Sequence, residues 1–413
     1  MEKSLTRDKF IHFVIFITMP LFMSFLPAKK QEDKQIKAKV FYVKKALNDG
    51  VSFWIKVFSK YSTNQGIIHD AKHLNVTYEI VDLSGIDIHN RNEHIKRVKE
   101  KWRKVLINVD HKKAKPLQMT SDELHVFKMF AKVNDTKKFI EASKGKRIRF
   151  QKGQKDQFFK ALLKSTLFIN NMEETLVKME LPKELARLPL VESSFNVHAH
   201  SKAGAKGVWQ IMPETAKKYL KIDDVVDQRK DPVLSTIAAA KILKKNYKHL
   251  NSWPLAVLAY NHGLSGVKRA IKKTGTNKIE KIISDYSGRY FGFASRNFYL
   301  EFLAAIEVEK NSDHYFRGLK KLRKNRYSEV KLNDYIKLDD LLNYINLLKS
   351  EIKELNPALS PLVFKGKKRL PKGYLLRIPY YWKDRGKSAK DRFIAKYSKI
   401  PQELKFNKQT KGY

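Results

Sequence analysis

One short stretch concentrates the groups that acid–base chemistry needs. Leu188-Pro189-Leu190-Val191-Glu192-Ser193-Ser194-Phe195-Asn196 sets a single carboxylate at the end of an apolar run, followed by two hydroxyls and an aromatic ring. Apolar neighbours disfavour the charged form of a carboxyl and raise its pKa, which is how such a group stays a proton donor near neutral pH. A glutamate at a helix end is ordinarily solvated charge, so the weight falls on three further segments. Ser201 to Thr215, with glycines at 204 and 207, reads as a tight turn entering a helix, in which Trp209 and Gln210 could touch a sugar. Trp253 to Gly263 closes a helix with Tyr260, Asn261 and His262, an amide and an aromatic suited to bonding and stacking on a saccharide. Phe291 to Tyr299 opens another apolar helix, whose Phe298, Tyr299 and Phe302 read mostly as core with one ring facing a cleft.

Two other constellations read as structural. His198 and His200 alternate like a metal pair, but no carboxylate or third histidine stands nearby, so they are expected in a solvated loop. His69-Asp70 is expected to form a local hydrogen bond rather than an acid–base dyad. No metal site and no cofactor are expected.

The elements that must hold these residues are helical. From about 156 to 310, Phe159, Leu162, Leu163 and Leu167 fall on one face, as do Leu234, Ile237, Ala238 and Ile242. Asp231-Pro232 and Ser252-Trp253-Pro254 look like a capping residue followed by an early-turn proline, and Gly263 sits where a helix should stop. Residues 29–155 mix β-rich runs such as Val76 to Val81 with charged helical stretches, and form an N-terminal accessory region without a chemical motif. Residues 327–380 read strand, helix, helix, strand, and 381–413 a basic tail. The expected fold is therefore mainly α, with an α+β N-terminal region and a small βααβ C-terminal module.

Charge and targeting bound the surroundings. Eighty-four Lys and Arg against 42 Asp and Glu leave +42, a field that attracts polyanions such as nucleic acid, anionic lipid or an anionic cell wall. With no cysteine, disulfides, zinc–thiolate sites and thiol nucleophiles are excluded. Lys3, Arg7 and Lys9 precede the apolar run Phe10 to Leu26, which is short for a membrane span and is broken by Pro20. Residues 1–28 therefore read as an export signal or an uncleaved N-terminal anchor, and an exported chain has no nucleic acid to bind. The expected location is the periplasm or cell envelope.

Four motifs now stand in order: Glu192-Ser193-Ser194-Phe195-Asn196, Gly207 to Pro213, Ala259-Tyr260-Asn261-His262-Gly263, and Ala294-Ser295-Arg296-Asn297-Phe298. In that order and spacing the sequence resembles the lytic transglycosylases of the soluble-transglycosylase, goose-lysozyme-like superfamily, and most of all their membrane-bound D type. The resemblance implies a lysozyme-like catalytic domain over 156–310 that cleaves peptidoglycan glycan strands. It implies Glu192 as the catalytic acid, Ser201 and Gln210 lining the sugar cleft, Met212 beneath the sugars and Asn261 beside the reacting one. Ser193 and Tyr260 belong to the same substrate-binding set. Two positions depart: Phe298 stands where the family usually carries tyrosine, leaving the hydroxyl missing or supplied by Tyr299, and His262 stands where a small residue is common. Residues 327–380 resemble a degenerate peptidoglycan-binding LysM module, with an unrelated structural extension as the alternative.

Hydrolysis of a glycoside ordinarily needs two carboxylates. No other acid stands between Glu192 and Glu214, and Asp223, Asp224, Asp227 and Asp231 read as caps and solvated charge. A lone acid suits intramolecular attack by the muramyl 6-hydroxyl, giving a 1,6-anhydro product without water, which is also the reaction that the resemblance implies. A lysozyme-type muramidase and a non-catalytic wall-binding protein remain the alternatives. A second carboxylate across the cleft would favour the former.

Overall fold

A computed structural model describes residues 40–320, 322 and 326–380. The segments read as export signal and basic tail, 1–28 and 381–413, lie outside the described residues. No helix among the described residues is long and apolar enough to cross a membrane.

The chain is mainly helical. At the centre of the helical body lies the helix Trp253–His262, in which Leu255, Ala256, Val257, Leu258 and Ala259 are all buried. A helix apolar on every side must be enclosed by neighbours, here Pro232–Leu250, Leu264–Thr274 and Phe293–Lys310. Capping follows the sequence signals. The Asp231 carboxylate accepts from the backbone N–H of Val233 at 2.9 Å and of Leu234 at 3.0 Å. Pro232 takes the first turn, where its missing N–H is harmless.

The three-stranded sheet has the order β2-β1-β3, with β1 (Gln65–Asp70) antiparallel to both β2 (Thr77–Asp82) and β3 (Ile148–Lys152). Gly66 to Asp70 are buried because both faces of β1 are covered. On one face Ile68 joins Trp102, Leu106 and Val109 of the long helix Arg91–Lys112. On the other, the His69 ring lies 4.5 Å from Phe53 and 5.7 Å from Phe293. Phe53 belongs to the helix Asn48–Ser59, which packs along Phe293–Lys310, and the buried Trp54 Nε1 donates to Asn297 Oδ1 at 2.9 Å. The first helix of the N-terminal region therefore packs with the helical body, whereas Ile68, Trp102, Leu106, Val109, Phe130 and Ile148 share a core cluster of their own. Composition marks surface charge, whereas the buried stripe Val51, Phe53, Trp54, Val57 and Phe58 needed apolar partners that lie far along the chain, Phe158 and the helix Phe293–Lys310 among them.

His69 and Asp70 are no dyad. The His69 ring Nδ1 lies 3.0 Å from the Asp70 main-chain oxygen, and burial pushes the imidazole down to about 4. The Asp70 carboxylate is instead engaged by the Arg147 guanidinium at 2.7 and 3.1 Å.

The C-terminal region pairs β4 (Tyr327–Lys331) antiparallel with β5 (Leu375–Pro379). Between them run helices Leu338–Ile345 and Lys349–Leu355 and the single turn Pro361–Phe364. Its core takes in Val226 from the helical body, and the Arg377 guanidinium bridges Asp231 at 2.6 Å and Glu329 at 3.1 Å. Asp227 and Asp231 cap helices, as expected, but they are buried and paired with Arg229 and Arg377 rather than solvated, and the loop that carries them is also the seat of this region.

Candidate active site

Glu192 ends the one-turn helix Leu188–Glu192. The chain then reverses sharply, with Ser194 at φ 52° and Phe195 at φ 53°, two consecutive side-chain-bearing residues in the left-handed region. Such a pair costs on the order of 1 kcal/mol per residue and persists only where the surroundings over-determine it. Here Phe195 is buried, its N–H donates to the Pro189 carbonyl at 3.1 Å, and Ser193 Oγ donates to the Val208 carbonyl at 2.8 Å. Ser193 thereby ties the first motif to the second.

The second motif is a knot around Gly207. Its N–H donates to the Ala199 carbonyl at 3.0 Å, and Lys206 bridges to both His200 and Ile211. Gln210 sits at φ 46°, with Nε2 donating to the Gly207 carbonyl at 2.9 Å. Ser201 Oγ accepts from the Ala205 N–H at 3.0 Å. Met212 is 43% exposed, a large apolar side chain open to solvent. Trp209 departs from expectation. It is fully buried, its indole N–H donates to Thr236 Oγ1 at 2.8 Å, and it cannot meet a sugar. Its carbonyl accepts the Tyr260 hydroxyl at 2.7 Å, which joins the second motif to the third. Asn261 is exposed at the end of the central helix, its Oδ1 accepting from Ser295 Oγ at 3.0 Å in the fourth motif. His198 and His200 are exposed, as a solvated loop requires.

The structure adds a residue that the sequence reading passed over. Glu301, eight residues into the helix Phe293–Lys310, lies close enough for the Glu192 charge to act on it. The two helices pack together and are clamped by Arg187, which holds Glu309 at 3.0 Å and also Glu173. Neither Glu192 nor Glu301 has a hydrogen-bond or ion-pair partner among the described residues, whereas most nearby acids are bound to lysine or arginine. Burial raises the Glu192 carboxyl to about 8. Burial, then the Glu192 charge, raises Glu301 to about 8 as well. Tyr260 is pushed up by burial and by Glu192, so its hydroxyl stays protonated. A signal was available: Glu301 is the one acid in the apolar run Asn297 to Ile306, two helical turns after Ala294 on the same face.

Glu301 also decides the fourth motif. Positions two apart on a helix point in nearly opposite directions, roughly 200° apart. Tyr299 therefore turns away from Glu301 and the Glu192 side, towards Phe302, with Tyr42 and Glu280 acting on it. It is 2% exposed and does not supply the missing hydroxyl. Phe298, 4% exposed, sits one turn before Glu301 and closes the core beneath it.

The coupled pair leads to a pH prediction. The first proton lost from two interacting carboxyls is shared between them, so Glu192 keeps part of its proton above pH 8 while Glu301 is present. Glu301→Gln removes the like-charged neighbour. The alkaline limb of kcat/KM should then steepen and move to lower pH, with activity near pH 7 changed only a few-fold. A profile identical to the native one would mean that the two groups do not interact.

Residues 170–283, which hold Glu192, Gln210 and Asn261, match the family model described as Transglycosylase SLT domain. The chain is 33% identical over 185 residues to the membrane-bound lytic murein transglycosylase D of Escherichia coli (strain K12), covering 44% of this chain and 40% of that protein. The same values hold for the protein of that name from Escherichia coli O6:H1. The resemblance to lytic transglycosylases is borne out over this segment, and the chain spans 40% of the length of these curated relatives.

Proposed function

We propose that the chain is a peptidoglycan lytic transglycosylase that cleaves the β-1,4 bond between N-acetylmuramic acid and N-acetylglucosamine and forms 1,6-anhydro-N-acetylmuramic acid. The observation that carries this reading is an unpaired carboxyl, Glu192, held protonated up to about pH 8 inside a segment matching a transglycosylase domain. Protonated Glu192 gives its proton to the bridging oxygen as the bond to the muramyl C1 breaks, and the muramyl N-acetyl group stabilises the cationic centre. The carboxylate so formed then takes the proton of the muramyl 6-hydroxyl as O6 bonds to C1, which returns Glu192 to its starting state. Ser201, Gln210, Met212 and Asn261 are the groups we assign to the sugar chain, with Ser193 and Tyr260 holding the motifs in register.

Glu301 favours a specific second reading, hydrolysis with water activated by a second carboxylate. A general base must be ionised to act, and Glu301 keeps its proton to about pH 8 beside Glu192. The anhydro route needs no base other than Glu192 and is the better supported. A peptidoglycan substrate supports a location in the cell envelope, and the reading of residues 1–28 as a signal or anchor supports the same. Residues 327–380 then serve as a LysM-like wall-binding module, supported by the strand–helix–helix–strand order with paired outer strands.

Mass spectrometry of the soluble fragments released from peptidoglycan tests the reading. Anhydro-ended muropeptides are expected; reducing ends would transfer the chemistry to water, and the absence of any fragment would leave a wall-binding protein.

A further inference from the structure

A cavity of about 680 Å³ lies between β3 and the segment 284–296, outside the residues assigned to catalysis. Its walls are cationic and aromatic: Lys72, Lys99, Lys146, Arg149 and Arg296 beside Phe293. Unpaired surface lysines are ordinary in a chain with 84 basic and 42 acidic residues. Arg149 is not ordinary. Its guanidinium stacks 4.1 Å from the centre of the Phe293 ring, its Nε is buried without a hydrogen-bond partner, and no acid among the described residues pairs with it. As a whole the Arg149 side chain is only half-buried, and a guanidinium without a paired counter-charge in the cavity wall favours an anion there. The one acid in the wall, Asp285, already accepts from Ser284 Oγ at 2.6 Å. Arg296 donates to the carbonyls of Ser284 and Tyr286 and holds that wall in place.

Two further features set the ligand's charge and position. The 18-residue helix Phe293–Lys310 begins at the cavity, and its N-cap, Gly292, offers no side chain to its first N–H groups. These groups carry partial positive charge and favour an anion. Ser295, bonded to Asn261, is the immediate neighbour of Arg296 in the cavity wall, so the first turn of this helix carries both a contact to the third motif and part of the cavity.

We propose that this cavity binds a carboxylate-bearing peptide, the stem hanging from the glycan strand in the adjoining cleft, with Arg149 as the carboxylate's partner. The inference rests on the substrate reading above. A guanidinium takes a carboxylate through two parallel hydrogen bonds, and the flanking lysines steer the acidic chain in. Phe150 and Ile95 supply apolar wall for the peptide's side chains.

Calorimetric titration of the full chain with the isolated stem peptide tests this without any turnover. Saturable one-site binding is expected, weakened tenfold or more by Arg149→Gln, partly restored by Arg149→Lys, and lost when the peptide's carboxylates are amidated. Lys146→Glu, at an exposed position, should weaken binding in the same direction and covers the case in which Arg149→Gln fails to fold. The proposal is overturned if the native chain shows no saturable binding, if the amidated peptide binds equally, or if oligoglutamate of equal charge and length binds as well. Anhydro products without peptide binding would sink this inference alone, and peptide binding without such products would sink the catalytic reading alone.

Discussion

Glu192→Gln is expected to yield a folded protein that releases no anhydro-ended fragments, with kcat lowered roughly a hundred- to ten-thousand-fold, the range for loss of a general acid. The amide preserves the shape of the carboxyl and removes its proton. Because the native group titrates near 8, the native enzyme should be active below that pH and lose activity as pH rises through it. The same shift predicts a gain in stability for the variant. The carboxyl's ordinary pKa of 4.5 governs the unfolded chain and about 8 the folded one, so between these values the folded chain holds the extra proton. Native stability is then fullest below 4.5 and falls as pH rises toward 8. Glutamine carries no such penalty. Since Glu192 is partly exposed, the gain at pH 8 should be modest, roughly 1–3 kcal/mol, and urea denaturation at pH 5 and pH 8 reads it directly. An inactive variant that is also less stable at pH 8 would mean a structural role for Glu192. A variant with native kcat would refute its catalytic one.

Gly207→Ala should cost the fold about 3 kcal/mol or more, from two causes that add at one atom. The residue sits at φ 75°, where a Cβ is strained by roughly 1–2 kcal/mol. That Cβ would also lie 1.8 Å from the Arg229 carbonyl oxygen, which is backbone and cannot rotate away. Arg229 is itself fixed, buried and bound to Asp227 through both carboxylate oxygens at 2.9 and 2.8 Å and to the Gly204 carbonyl at 2.9 Å. Gln210 Nε2 donates to the Gly207 carbonyl, so a shift at 207 should carry Gln210 out of register and lower kcat/KM along with stability. Gly204→Ala is the internal control. Its φ of 90° brings the same strain, but the nearest atom is a proline side-chain carbon 3.6 Å away, so only the backbone cost should appear. Equal denaturation midpoints for the two variants would show that the contact with Arg229 yields easily.

Residues close together in the chain dictate the local features of this protein. Helix punctuation at Asp231-Pro232, the apolar enclosure of Leu255 to Ala259 and the glycines of the second motif follow from capping, burial and backbone sterics within a few residues. Glu192 was legible as the carboxyl that ends the apolar run Leu188 to Val191, and burial raises it. Other features depend on partners far along the chain. Trp209 looked like a sugar platform until Thr236 took its indole N–H. Tyr299 looked like a spare hydroxyl until the rotation of its helix, fixed by the Trp54–Asn297 bond and the Asn48–Ser59 packing, turned it inward. Glu301 drew no notice 109 positions from Glu192, although that same rotation sets it beside the Glu192 carboxyl. Composition records which side chains can be buried or charged, but the direction in which a helix faces is set by every element packed against it, and that is where the second carboxyl of this site was decided.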